Sequence, residues 1–184
     1  MYYYLVASLP PLVQGEPPPF TPEDYRFKCQ GVLTEEHLAE LDRIVEGHRN
    51  ELRTPFGRRW RDMETSIRNV AARVRAGREG IDESPYIESV SACCVAVEHD
   101  VQHALSQGNP MEQEFALDRV RWNALDELSL EEPFGLAPAL AYAVKLRIAK
   151  RWADLSEDEG RKTVKEFVDR NTQEIREAYK VEPS

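Results

Sequence analysis

Four pairs of residues have side chains and spacing capable of supporting chemistry: His99 with His103, Cys93 with Cys94, and the acidic doublets Glu35-Glu36 and Glu131-Glu132. The histidines stand at i and i+4 on a predicted helix, the spacing of two zinc ligands. With Cys94, Val97 and Val101 taken as the inward stripe, however, both imidazoles fall about 140 to 180° away, on the solvent side. No Glu-x-x-His pair of the di-iron type accompanies them. Neighbouring cysteines on a helix do not readily bridge, and Cys94 belongs to the apolar stripe, so packing is the expected role. The acidic doublets fall at helix ends, where carboxylates complement amide dipoles or face water. Ser84 and Ser156 read as helix caps, and no Gly-x-Ser-x-Gly or phosphate loop occurs. The expectation is no catalytic residue, no metal site, no bound cofactor and no small-molecule substrate.

Two groups retain a binding reading. Arg58, Arg59, Arg61 and Arg68 cluster on one predicted helix, where they suit internal ion pairing, a protein interface or, as the alternative, a nucleic-acid contact over Arg58 to Arg78. Tyr2, Tyr3 and Tyr4 suit anchoring the amino-terminal segment or contacting a partner. The candidate protein interface is therefore Tyr2, Tyr3, Tyr4, Arg58, Arg59 and Arg61.

The elements that position these groups follow from apolar spacing. Trp60, Met63, Ile67, Val70 and Val74 form one stripe, and Ile87, Val90, Cys94, Val97 and Val101 form a second. Steps of three and four predict two long helices packed as an antiparallel hairpin over 58–105, turning between Gly77 and Gly80. Glu64 with Arg68, and Asn69 with Arg73, are at i,i+4 pairing distance along the first of them. Ahead of the hairpin, Tyr2 to Leu9 is rich in aromatic and branched residues and reads as part of an extended segment over 1–20. Thr21-Pro22 and Thr34 start two helices, the second with Leu38, Leu41, Ile44 and Val45 on one face. Asn109-Pro110 starts another, running through Leu128 with Phe115, Trp122 and Leu125 as buried candidates. Leu136 to Leu155 follows, and Ser156 with Glu159 opens a last helix within a carboxy-terminal group of helices over 109–180. The predicted fold is all-α: a single elongated helical bundle over 1–184 with six or seven helices.

Composition agrees. The 184 residues are enough for an independent core, and a charged fraction of 31% suits well-exposed helix surfaces. A formal charge of −9 argues against general nucleic-acid binding. The charge is unevenly spread: Arg49 to Gly80 holds nine arginines against four acidic residues, whereas Ile81 to Glu132 holds twelve acidic residues against Arg119 and Arg121. The basic helix and the acidic stretch after it are expected to attract one another. Three cysteines without framework spacing, and an apolar start without a basic leader, fit a cytoplasmic protein.

Three stretches carry a family likeness: MYYYLVASLPPL at the start, the helix from Trp60-Arg61-Asp62-Met63-Glu64 through Arg68-Asn69 to Arg73, and Ala141 to Trp152. Together they resemble an uncharacterised bacterial family encoded beside V-type ATPase subunits, and distantly the C (d) subunit of rotary ATPases, an all-helical funnel joining rotor stalk to membrane ring. This chain is about half the size of that subunit. The resemblance implies an accessory, assembly or stalk-like role, with V-type ATPase subunits as partners and any membrane association indirect, through the complex.

Overall fold

The computed structural model describes residues 2–90 and 95–156, and among them the backbone forms seven α-helices and no strand, as an all-α helical bundle should. These are α1 (Tyr3–Ala7), α2 (Pro22–Cys29), α3 (Glu35–Glu46), α4 (Pro55–Glu79), α5 (Val95–Leu105) and α6 (Pro110–Leu130), with α7 over 137–156. Short 3-10 turns lie at Arg49–Glu51 and Ser84–Tyr86. The predicted last helix after Ser156, and Cys93 and Cys94, lie outside the described residues.

Most helix starts follow from local chemistry. Proline occupies the first position of α2, α4 and α6, where its missing N–H costs nothing. Before each stands a residue whose side-chain oxygen accepts an amide of the first turn: Thr21 from Asp24, Thr54 from Gly57, Asn109 from Glu112. Thr34 does the same for His37 at the start of α3. At α2 the Asp24 carboxylate accepts in return from the Thr21 amide at 3.0 Å, closing a capping box.

The start of α4 has a second tie. Glu40 of α3 is almost wholly buried, and its carboxylate accepts from the Arg53 and Thr54 amides, the Thr54 hydroxyl and the Arg43 guanidinium. A buried charge is tolerable only with such complete satisfaction. Gly57 lets that carboxylate approach: a Cβ there would sit 2.2 Å from Glu40 Oε1 and 2.9 Å from Leu52 Cβ.

Two apolar cores result. The larger gathers Leu5, Tyr25, Leu41, Trp60, Leu125 and Leu140, drawing on α1 to α4, α6 and α7. The smaller joins Ile67 and Val70 of α4 to Val101 and Leu105 of α5 and Leu117 of α6. α4 and α6 run through both, antiparallel, as the cross-pairs Arg59–Glu131, Glu64–Arg121 and Arg75–Glu114 demonstrate. α7 returns antiparallel along α6, with Lys145 on Asp126 and Trp152 on Asp118.

Three expectations require correction. The amino-terminal segment is not extended throughout, because Tyr3–Ala7 is a helix. Tyr2, Leu5, Val6 and Leu9 recur at helical spacing and all pack on the larger core, so tertiary burial overrides the strand preference of the tyrosines. The hairpin is asymmetric: α4 extends through Gly77 to its cap at Gly80, whereas the chain over 81–90, where its partner is expected to run, holds only the 3-10 turn Ser84–Tyr86. Ile87 and Val90 lie on non-helical chain and are only partly buried. The cause is Asn69, whose side chain donates to the Glu88 carbonyl at 2.7 Å and accepts from the Glu88 amide at 3.0 Å. It thereby takes the two backbone groups a helix would use. Finally, the i,i+4 pairs within α4 do not form: Glu64 binds Arg121, Asn69 binds Glu88, and Arg73 binds Glu83.

Gly57→Ala forces the Glu40 carboxylate or the Leu52 side chain to move, and is expected to lower stability by about 1 to 3 kcal/mol in chemical denaturation. Asp24 supplies a pH test. The Thr21 amide and then the Thr21 hydroxyl hold its carboxyl below the ordinary value. Its stabilising contribution is thus complete above the usual range of about 3.9 and lost as pH falls through the lowered value. Thr21→Ala should move the Asp24 titration, followed by NMR, part of the way back up.

Candidate functional site

Asp118 is a second buried carboxylate that, like Glu40, is held by several donors. It lies on α6 with a side-chain exposure of 1%. Its Oδ1 accepts from Arg121 Nη1 at 2.9 Å, and its Oδ2 accepts from Trp152 Nε1 at 2.7 Å and from Arg151 Nη2. Arg121 in turn reaches α4, donating to both carboxylate oxygens of Glu64 at 2.8 and 3.1 Å. Burial alone would depress the Arg121 guanidinium. The charges of Glu64 and Asp118 outweigh it and raise the group above its ordinary value, so it stays protonated. One acid, one arginine and a second acid therefore cross-link α4, α6 and α7.

A groove of about 640 Å³ opens beside this network. Trp60, Val144 and Ile148 supply an apolar wall, and Arg49, Arg68, Arg121, Arg147 and Arg151 supply charge. Arg147 donates to the Ile44 carbonyl in the last turn of α3 at 2.6 Å. Burial, and then the neighbouring Arg151 charge, pull its ordinary value down.

The carboxy-terminal run from Ala141 to Trp152 is structurally occupied along its length. Its aliphatic members are buried. Tyr142 donates to the Pro10 carbonyl at 3.1 Å, and burial pushes its hydroxyl up to about 12. Lys145 meets Asp126 and lies 4.9 Å from the centre of the Trp122 ring.

Of the sequence-selected interface residues, Tyr2, Tyr3, Tyr4 and Arg59 gather at the other end of α6. The Tyr2 amide donates to the Phe134 carbonyl at 3.0 Å, and its hydroxyl lies 2.6 Å from His37 Nδ1. Tyr3 packs against Tyr4 and Phe134, with ring centres 5.6 and 5.5 Å apart. Tyr4 is 87% exposed and Phe134 52%, making an aromatic patch open to contact. Arg59 reaches the same end through its ion pair with Glu131, which shares a groove with Tyr2 and Phe134. Arg58 donates to the Arg53 carbonyl, and Arg61 pairs with its neighbour Asp62. Arg68 lies apart from this end, on the arginine groove.

His99 is exposed and meets only its neighbour Asp100, and His103 is exposed as well. Among the described residues no group of three or more acidic, histidine or cysteine side chains has metal-binding geometry. Nor is any described helix long and apolar enough to cross a membrane.

Asp118 was missed as a site from sequence, although a signal existed. It occupies a stripe position, three after Phe115, four before Trp122 and seven before Leu125. A carboxylate interrupting an apolar stripe requires a buried partner. Asp118→Ala leaves Arg121, Arg151 and the Trp152 indole without their shared acceptor and is expected to cost about 3 to 5 kcal/mol in urea denaturation. A loss under about 1 kcal/mol would place the network among ordinary surface pairs.

Among known proteins, a family model described as "Protein of unknown function (DUF2764)" matches residues 98–175. No curated protein and no solved structure matches the chain. The matched stretch carries Asp118, Arg121, Arg147, Arg151 and Trp152, so the likeness to that family falls on α5 to α7 and the network they hold.

Proposed function

We propose that this chain is a non-catalytic accessory, assembly or stalk-like component of a V-type ATPase, acting through protein–protein contacts. The resemblance of residues 1–12, 60–73 and 141–152 to the family encoded beside such ATPases supplies the partner. The observation that carries a docking role is the exposed cluster of Tyr3, Tyr4 and Phe134 at one end of the bundle. Exposed aromatics of this kind serve as interface anchors, since each covers a large area at small entropic cost. The Arg59–Glu131 pair beside them supplies charge of both signs for a polar rim.

The nucleic-acid alternative is the weaker reading. Along α4, Arg59, Arg61, Arg73 and Arg75 are paired with carboxylates, and Arg58 and Arg78 donate to backbone carbonyls. A phosphate backbone would have to displace those partners within an acidic protein.

The test is recovery of the tagged full chain from cells assembling a V-type ATPase. ATPase subunits are expected to co-purify, and the double variant Tyr4→Ser, Phe134→Ser to recover them about tenfold less well or worse while melting as the parent does. Isolation of the parent as a lone monomer would contradict the proposal.

A further inference from the structure

The arginine groove holds more hydrogen-bond donors and more positive charge than its surroundings use. Five arginines line it against three carboxylates, Glu51, Glu64 and Asp118, in a chain whose formal charge is −9. Glu64 and Asp118 are already neutralised by Arg121 and Arg151. Arg68 and Arg147 have no carboxylate partner among the described residues, and Arg147 meets only a backbone carbonyl. Arg49 binds Glu88 through Nη2, while its Nη1 is buried without an acceptor. Each guanidinium offers five donors, and at Arg68 and Arg147, both exposed, most of them have no protein partner among the described residues and are open to a ligand. A buried guanidinium nitrogen left unsatisfied is costly, and an ion is one of the ordinary explanations for it.

Packing also contributes. Arg147 is held on the α3 terminus and Arg151 on Asp118, so neither can swing away to relieve their mutual repulsion without giving up its anchor. A preorganised set of like charges is favourable only when something of opposite charge sits between them. The volume of about 640 Å³ falls within the small-ligand range of roughly 300 to 1,000 Å³, and Trp60, Val144 and Ile148 provide an apolar wall.

We infer that the groove between α3, α4, α6 and α7 is a binding site for a multiply charged phosphate group, held by Arg49, Arg68, Arg147 and Arg151. Diphosphate suits it better than a single carboxylate. Several oxygens are needed to meet guanidinium groups arriving from the 3-10 turn and two helices, and the Arg fork matches phosphate in bidentate fashion. This site shares no lining residue with the groove at the tyrosine patch and stands whether or not that patch docks to an ATPase.

Inorganic diphosphate titrated into the full chain, followed by calorimetry and by Trp fluorescence, tests the inference at constant ionic strength. Saturable binding is expected, with Arg68→Gln weakening it by about 10- to 100-fold while leaving the thermal melt unchanged, since Arg68 has no partner to lose among the described residues. Parallel titrations with orthophosphate and a nucleoside diphosphate distinguish a free phosphate from a nucleotide as the source. Absence of saturation at about 10 mM diphosphate, weaker than even millimolar affinity, would overturn the site. So would equal affinity for sulfate, or binding indifferent to Arg68→Gln.

Discussion

A buried carboxylate that can be satisfied in only one arrangement of three helices organises this protein. Burial of the Asp118 side chain is tolerable because Arg121, Arg151 and the Trp152 indole converge on it. Those donors come from α6 and α7, and Arg121 extends the tie to Glu64 on α4. Apolar burial supplies the drive to collapse, but it is tolerant of sliding and rotation. A fully satisfied ionic network is not, and here it sets the register of α4, α6 and α7 at once.

That register explains how charge is distributed. The basic stretch from Arg49 to Gly80 and the acidic stretch from Ile81 to Glu132 meet mainly across α4 and α6 and between α4 and the 81–90 connection. Most of these pairs are exposed and contribute about 0 to 1 kcal/mol each. Only Glu64–Arg121 is substantially withdrawn from water, with side-chain exposures of 14% and 17%. What internal pairing leaves over is concentrated at the groove beside the network, where arginines outnumber their acids.

Much of the helical outline was legible in the sequence. Thr21, Thr34 and Asn109 announce helix starts by a chemistry that acts within four residues, and the Trp60 to Val70 stripe marks a buried face by periodicity alone. What was not legible depends on contacts distant along the chain. The non-helical course of the chain around Glu88 is enforced by Asn69 seizing the Glu88 backbone nineteen residues away. The amino-terminal helix is stabilised by a core whose other members, among them Leu41, Trp60, Leu125 and Leu140, lie far along the chain. The tyrosines and Arg59 were recognisable as residue types, and the structure brings Tyr2 to Phe134 and Arg59 to Glu131 at one end of the bundle. The groove escaped notice because its arginines, from Arg49 to Arg151, carry no shared local pattern, whereas Asp118 left a trace as a carboxylate in an apolar stripe.

The decisive measurement is a double-mutant cycle between Glu64 and Arg121, using alanine at each position and denaturant unfolding. If the ionic cross-link fixes α4 against α6, the two substitutions will be strongly non-additive, with a coupling of about 1 to 3 kcal/mol. Additivity within about 0.5 kcal/mol would mean that the apolar cores alone hold the helices, and that the network merely decorates them.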